Sequence, residues 1–193
     1  MASSPLVSAI ILAGGAGRRM GGRDKGWVKF HGLPLVAHVL AHIQSQAEEI
    51  LISANRNLDD YRGLGYAVVK DTLDDFQGPL AGVLAGLNTA RHDWVLTVPC
   101  DTPQLPADLV QRLVAPLLAG QAEIAIASAG GRTHPVIMMC ARHLKDDLDR
   151  YLAEGGRAVH AWQSRHMTAT IEFADAAAFV NLNQLEDLSR QEV

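Results

Sequence analysis

The chain has little of several things that would each have decided its class. It has 2 cysteines in 193 residues. Cys100 and Cys140 lie far apart with no CxxC pair, so neither a disulfide framework nor a zinc site is expected, and a reducing cytoplasm is the natural setting. No apolar run approaches the roughly 20 residues that span a bilayer. Residues Met1 to Ser8 lack a basic stretch followed by an apolar one, so no export signal is expected. Aromatic residues make up 5% of the chain and the net charge is −4, which leaves no cationic, aromatic-interleaved surface for nucleic acid. Neither a polymer substrate nor a membrane is therefore an expected partner. What the chain does have is 48% hydrophobic and 20% charged residues, enough for one sizeable core in a soluble protein read as a single domain over residues 1–193.

The segment that carries chemistry follows the first apolar run: Ile10-Ile11-Leu12-Ala13-Gly14-Gly15-Ala16-Gly17-Arg18-Arg19-Met20-Gly21-Gly22-Arg23-Asp24-Lys25-Gly26. Its glycines let backbone N–H groups approach a ligand closely, and Arg18, Arg19 and Lys25 can neutralise phosphate oxygens. An ordinary strand-to-helix turn needs one or two glycines and has no reason to gather three cations among them. Two familiar phosphate loops fail here for what they lack. A Walker A loop needs Ser or Thr after its Gly-Lys to ligate magnesium, but Lys25 is followed by Gly26. The dinucleotide fingerprint needs a third glycine where Met20 stands and an acidic residue after the second strand, where Ser53-Ala54-Asn55 lies. Hydride transfer and P-loop hydrolysis are both disfavoured.

Short β-branched runs alternate with longer helical patterns, as in a parallel sheet with crossover helices. The pattern predicts strands over Val7 to Leu12, Ile50 to Ser53, Ala67 to Lys70, Trp94 to Val98 and Ile124 to Ala127. Helices are predicted over Leu35 to Gln46, Ala81 to Ala90 and Ala107 to Leu118, the last introduced by Leu105-Pro106. The final third predicts a strand over Val136 to Cys140, a helix over Leu144 to Leu152, a short strand over Thr168 to Glu172 and a closing helix over Gln184 to Arg190. The fold class is therefore α/β, a three-layer Rossmann-like domain with a mostly parallel central sheet and extra elements along one side.

In an open parallel sheet, ligands bind beyond the carboxyl ends of the strands. The polar residues fall there repeatedly. Strand one opens into the glycine loop, strand two into Ser53-Ala54-Asn55-Arg56, strand three into Asp71-Thr72 and strand four into Cys100-Asp101-Thr102. Asp101 is the first choice for a magnesium ligand, because one strand-end carboxylate suffices for a hard ion that also takes substrate phosphates and water. Read alone, Asp101 serves equally well as a turn residue before Pro103, and Asp71 as a cap. Cys100 lacks an identifiable His or Asn partner and reads as structural. His38 and His42 are four apart on a predicted helix, but without HExxH context or a third ligand they read as surface or half-buried histidines. Glu48-Glu49 and Asp146-Asp147 read as helix-flank charges.

The order Leu12-Ala13-Gly14-Gly15-x-Gly17-x-Arg19-Met20-Gly21-Gly22-x-Asp24-Lys25-Gly26 closely resembles the opening of nucleotidyltransferases that activate a phosphate with a nucleoside triphosphate, above all the bacterial molybdenum cofactor guanylyltransferases. Asn55-Arg56, Asp71, Gly78-Pro79-Leu80-Ala81-Gly82, Pro99-Cys100-Asp101-Thr102-Pro103, His134-Pro135 and Asn181-Leu182-Asn183 look like that family's later landmarks, in order. The resemblance implies transfer of GMP from GTP to the phosphate of molybdenum-bearing molybdopterin, with pyrophosphate leaving and the guanine dinucleotide cofactor formed. It implies Lys25, Arg19 and Asp101 as the catalytic groups, with Asp101 on Mg²⁺. It also implies Leu12, Ala13, Gly14, Gly15, Gly17, Lys25, Ser53, Asn55, Asp71, Gly78 and Asp101 around the nucleotide, in the N-terminal part of the domain. Arg132, His134, Asn181 and Asn183 resemble the pterin side of the family site, in the C-terminal part; Asn181 and Asn183 could equally cap the last helix. Without a protein nucleophile, the acceptor phosphate itself attacks the α-phosphorus in line.

Two features bear on the base. Cytidylyl relatives typically show Leu-Ala-Ala-Gly, whereas Gly14 here lacks a Cβ and leaves room for a larger base against the backbone. Guanylyl enzymes commonly show Asn-Ala-Asn where this chain has Ser53-Ala54-Asn55, and Ser53 has the shorter reach. Cytidylyl transfer, nucleotidyl transfer to a sugar phosphate, and a GTP-binding regulator without turnover are the alternatives. The small-molecule partners implied are GTP and molybdopterin. Transient contacts with other cofactor-synthesis proteins and acceptor enzymes, and a monomer, are expected.

Overall fold

The computed structural model describes residues 5–15, 24–71 and 78–182. The predicted helix over Gln184 to Arg190 lies outside them, as do Gly17, Arg18, Arg19 and Asn183. In chain order the elements are β1 (Val7–Leu12), β2 (Lys29–Phe30), β3 (Leu33–Pro34), α1 (Leu35–Ile43), β4 (Glu49–Ser53), α2 (Leu58–Arg62), β5 (Ala67–Val69), α3 (Pro79–Thr89), β6 (Trp94–Pro99), α4 (Leu109–Leu118), β7 (Ile124–Ala129), β8 (Arg132–Ala141), α5 (Lys145–Ala153), α6 (Val159–Gln163) and β9 (Thr168–Phe173).

Seven of these strands form one sheet in the order β5-β4-β1-β6-β8-β7-β9. β5, β4, β1 and β6 pair in parallel. β8 runs against both neighbours, and β9 returns parallel to β7. The sheet is thus mostly parallel, as the alternating pattern predicts. β1, β4 and β6 are apolar almost throughout because they are buried on both faces, the mark of a doubly covered parallel sheet.

Successive side chains on a strand point to opposite faces, and the core divides accordingly. Ala9 and Ile11 of β1 pack with Val36, Val39 and Ile43 of α1 and with Leu109 and Leu113 of α4. Ile10 packs on the other face with Leu80, Val83 and Leu87 of α3, Leu148 and Leu152 of α5 and Trp162 of α6. These are the three layers. α1 buries Leu35, Val36, Val39, Leu40 and Ile43, an i, i+1, i+4, i+5, i+8 stripe that fits its 3.6-residue period. α3 begins after Gly78, whose φ of 85° suits only glycine, with Pro79 at the first helical position.

Several expectations need correcting. Glu49 is not a helix-flank charge: it opens β4, and its buried carboxylate accepts bonds from Ser8 Oγ at 2.5 Å, Arg91 N at 2.8 Å and Arg91 Nε at 2.7 Å. Burial pushes its pKa up, but those donors and the Arg91 charge outweigh it and hold the carboxyl below its ordinary value. Asp147 accepts from Trp162 Nε1 at 3.1 Å and meets His166 Nε2 at 3.0 Å, tying α5 to α6 and the chain that follows it. The expected strand over Val136 to Cys140 is longer, starting at Arg132. The small hairpin β2–β3 and the five-residue helices α2 and α6 are additions. No helix among the described residues is long and apolar enough to cross a membrane.

Gly86 is where α3 meets the sheet. A Cβ there would overlap Ile10 Cδ1 and stand 2.6 Å from its Cγ1, and Ile10 is fully buried. Gly86→Ala should destabilise the protein by about 1–3 kcal/mol in chemical denaturation, the usual cost of overpacking. Ile10→Val, which removes the overlapping methyl, should restore part of that loss in the double variant and none in the wild-type background. Equal stability of Gly86→Ala and wild type would show that α3 does not seat as described.

Candidate nucleotide site

β1, β4 and β6 end at the same level, since Leu12 pairs with Ser53 on one side and Pro99 on the other. The segments that leave these strands line one cleft of about 340 Å³, joined by Lys25, Asp71, Gly78, Pro79, Gly82 and Val136. That volume lies in the range of small-ligand pockets. Leu12, Ala13, Gly14, Gly15, Lys25, Ser53, Asp71, Gly78 and Asp101, all predicted from sequence to meet the nucleotide, are among the residues of this wall.

One end of the cleft is a polar corner around Asp71. Asn55 Nδ2 donates to Asp71 Oδ2 at 2.8 Å, and the Asp71 N–H donates back to Asn55 Oδ1 at 3.1 Å. This reciprocal pair fixes the carboxylate. Ser53 Oγ donates to Asp71 Oδ1 at 3.4 Å. Asn55, which does not itself line the cleft, also reaches Gly14 O at 3.5 Å. Glycines on both sides make this possible. A Cβ on Gly82 would lie 2.5 Å from Ser53 Oγ, and one on Gly14 would lie 3.1 Å from Asn55 Nδ2. The space left at Gly14 is thus next to the Asn55 amide, so a methyl there would crowd Asn55.

At the other end, Lys25 and Asp101 meet. Lys25 opens a turn of 3₁₀ helix, Lys25–Trp27, and its Nζ donates to Asp101 Oδ2. Asp101 follows β6 and is 6% exposed. Its other oxygen, Oδ1, is buried without a hydrogen-bond partner among the described residues. A buried carboxylate oxygen with no partner is a costly arrangement unless a cation completes it. The donor set suits a hard ion such as Mg²⁺, which takes one or two carboxylates and fills its other positions from phosphate and water. No group of three or more His, Cys, Asp or Glu among the described residues could cage a metal alone, and His38 instead lies 2.7 Å from Phe30 O.

The residues expected on the acceptor side are more scattered. Arg132 is exposed at the start of β8. His134 stacks on Phe179 at 5.0 Å, and burial, with the nearby Arg132 charge second, holds its imidazole below the ordinary value. Neither lines the cleft. Asn181 Oδ1 accepts from Thr102 Oγ1 at 2.6 Å, and the Leu182 N–H donates to Asp101 O at 2.9 Å, so this segment is fastened to the loop that carries Asp101.

Sequence reasoning missed Val136, Thr97, Gln163 and Asp24. In the β7–β8 ladder the register jumps from Ile126↔Met138 to Ala127↔His134, leaving Pro135, Val136 and Ile137 outside the pairing. Thr97 Oγ1 donates to Val136 O at 2.6 Å and Gln163 Nε2 to Pro135 O at 2.7 Å, holding the bulge so that Val136 faces the cleft. The one available signal was Pro135, which cannot donate to a ladder.

The sequence pattern of the MobA-like NTP transferase domain matches residues 9–169. The molybdenum cofactor guanylyltransferase of Cupriavidus metallidurans is 44% identical over 197 residues, which cover all of this chain and 97% of that one. The enzyme of the same name from Shewanella putrefaciens is 43% identical over 182 residues, 94% of this chain and 93% of that one. The crystal structure of molybdopterin-guanine dinucleotide biosynthesis protein A from Archaeoglobus fulgidus shares the fold, with a TM-score of 0.78, 21% identity and 97% of each chain covered.

Cys100 lies in the cleft wall but is buried, and that burial, with the adjacent Asp101 charge, pushes its thiol far above the ordinary range. Burial pushes Cys140 up to about 12. Both should stay protonated at pH 8, and a thiol reacts as its thiolate. Iodoacetamide at pH 8 should therefore label neither cysteine in the native protein and both in denaturant, read by mass spectrometry. Rapid native labelling of Cys100 would reopen a thiol role.

Proposed function

Because this chain belongs to the MobA-like NTP transferase family, we propose that it is a molybdenum cofactor guanylyltransferase: it transfers GMP from GTP to the phosphate of molybdopterin, releasing pyrophosphate. The observation that carries this reading is the cleft itself, with a fixed carboxylate corner at one end and a lysine–aspartate pair at the other, the two carboxylates just beyond strand ends and Lys25 on its own turn. Likeness to guanylyltransferases over the whole chain supports guanine as the base.

The roles follow from that layout. Asp71, held by Asn55 and Ser53, presents carboxylate oxygens toward the cleft, which suit the N–H groups on a guanine edge. The Ala13–Gly15 backbone lies along the nucleotide. Lys25, with Arg19 from the loop, neutralises phosphate charge, and Asp101 is the residue that would hold Mg²⁺ through its unpartnered oxygen. A magnesium ion bound there supplies charge neutralisation to the phosphates. No buried thiol or other protein nucleophile is needed, because the acceptor brings its own phosphate oxygen. Catalysis is positioning and charge stabilisation. The C-terminal part, with Arg132, His134, Asn181 and Asn183, is the acceptor side of the same single domain. The protein works as a cytoplasmic monomer that meets other cofactor-synthesis proteins and acceptor enzymes only transiently.

Pyrophosphate release with each of the four common nucleoside triphosphates, against molybdopterin and a panel of sugar phosphates, tests the assignment. GTP with molybdopterin should give the fastest turnover and EDTA should abolish it. Preference for CTP would make the chain a cytidylyl enzyme, turnover on a hexose phosphate would move it to sugar activation, and GTP binding without turnover would make it a regulator. Lys25→Ala should lower kcat/KM for GTP by roughly 10- to 100-fold, the worth of one charge-assisted hydrogen bond of about 1.5–3 kcal/mol, and should also lower the thermal midpoint, because it leaves the buried Asp101 carboxylate without its partner. Near-normal turnover of a folded Lys25→Ala would remove it from the site.

A further inference from the structure

Lys25 is carried by a three-residue 3₁₀ turn that belongs to no sheet and no α-helix. What fixes the turn is the residue before it. The Asp24 carboxylate, 9% exposed, accepts three hydrogen bonds: Oδ1 from the Gly26 N–H at 3.2 Å and from the Tyr61 hydroxyl at 2.7 Å, and Oδ2 from Asn57 Nδ2 at 3.0 Å. Arg56 Nε stands 3.8 Å from Oδ2. Only the first donor is local. Tyr61 lies on α2 and Asn57 just before it, more than thirty residues along the chain.

The fit around these donors is tight. Tyr61 is fully buried, and its ring packs against Trp27, the last residue of the turn, with centroids 5.3 Å apart. A Cβ on Gly26 would overlap the Tyr61 hydroxyl, so this position must be glycine for the hydroxyl to lie against the backbone beside Lys25. Asn57 adopts the left-handed conformation, φ 50° and ψ 36°, which few residues other than glycine and asparagine tolerate. From that conformation its side chain reaches Asp24. The residues on both sides of Lys25 are therefore pinned from α2 and the residue before it, while Lys25 itself reaches Asp101 at its end of the cleft.

We propose that Tyr61 and Asn57 are positioning residues for Lys25, acting through Asp24, and that they set the direction from which the ammonium group enters the nucleotide cleft. The inference rests on the reading of Lys25 as a phosphate-neutralising group. A lysine held in place before the nucleotide arrives loses less freedom on binding than one on a loose turn. Neither Tyr61 nor Asn57 touches the cleft, so both work at one remove.

A double-mutant cycle tests this on the full-length protein. Tyr61→Phe keeps the ring packing and removes the hydroxyl, and should lower kcat/KM for GTP about tenfold, the order expected for one hydrogen bond to a charged group, with KM for the acceptor unchanged. In the Lys25→Ala background the same change should cost less than twofold, because there is no ammonium left to aim. Asn57→Gly, which keeps the left-handed backbone and removes the donor, should behave alike and serves if Tyr61→Phe folds poorly. Equal losses with and without Lys25 would overturn the proposal and make the cluster merely structural, as would wild-type GTP kinetics in both variants. If Lys25→Ala alone is as active as wild type, the role of Lys25 itself falls, a failure visible before either positioning variant is made.

Discussion

The site depends on one constraint: β1 is paired in parallel on both sides, in a register that stops it level with β4 and β6. The bonds that close the ladders are in place just beyond. Ala13 N–H donates to Ser53 O at 2.7 Å, Cys100 N–H to Leu12 O at 3.1 Å and Ala54 N–H to Val69 O at 3.0 Å. These determine where each strand gives way to a loop, so the glycine segment, the Ser53–Asn55 segment and the Cys100–Asp101 segment all open into one space. A slip of one residue in any pair would send the core side chains to the wrong face and carry the loop out of reach. The buried, two-sided apolar character of β1, β4 and β6 is what forbids that slip.

Given the aligned strand ends, most of the remaining structure serves to hold single groups. Asp71 is held by Asn55, Lys25 by the Asp24 cluster, Val136 by the anchored bulge, and the Asp101 loop by Asn181 and Leu182. Each anchor comes from a part of the chain distant from the group it holds, through a polar side chain in every case but Leu182, which uses its backbone N–H. Leu182 also packs with Phe30 and Leu35, so the segment that fastens the Asp101 loop is seated against the element that follows Lys25. The two halves of the lysine–aspartate pair are thereby tied together from behind as well as by their own contact.

The parts of this arrangement that can be read from sequence are those whose signal is local. β1, β4, β5 and β6 appear as β-branched runs because both their faces are buried, and α1 and α3 as apolar patterns long enough to show a period. The strand-end candidates follow from the direction of a parallel sheet, which is why Gly14, Ser53, Asp71 and Asp101, all of which line the cleft, stand out in the sequence. What depends on distant partners was hidden. Glu49 looks like a surface charge until Ser8 and Arg91 arrive from 41 and 42 residues away. Asn181 reads equally as a cap or a ligand until Thr102 is placed against it. α2 and α6 are too short for periodicity, and β8 begins with Arg132-Thr133-His134-Pro135, whose polarity and proline disguise a strand that bulges. Asp24 stood inside the motif beside Lys25, yet nothing local marks it as the acceptor of a tyrosine hydroxyl.

The central claim is that the phosphorus attacked is the α-phosphorus of GTP, with the acceptor's own phosphate as nucleophile. Its most direct test is the fate of label in a single turnover with molybdopterin, using GTP carrying ³²P at either the α or the γ position. The account predicts that α label appears in the pterin product and that γ label leaves entirely as pyrophosphate. Label from the γ position on the acceptor, or GDP as the released product, would contradict it.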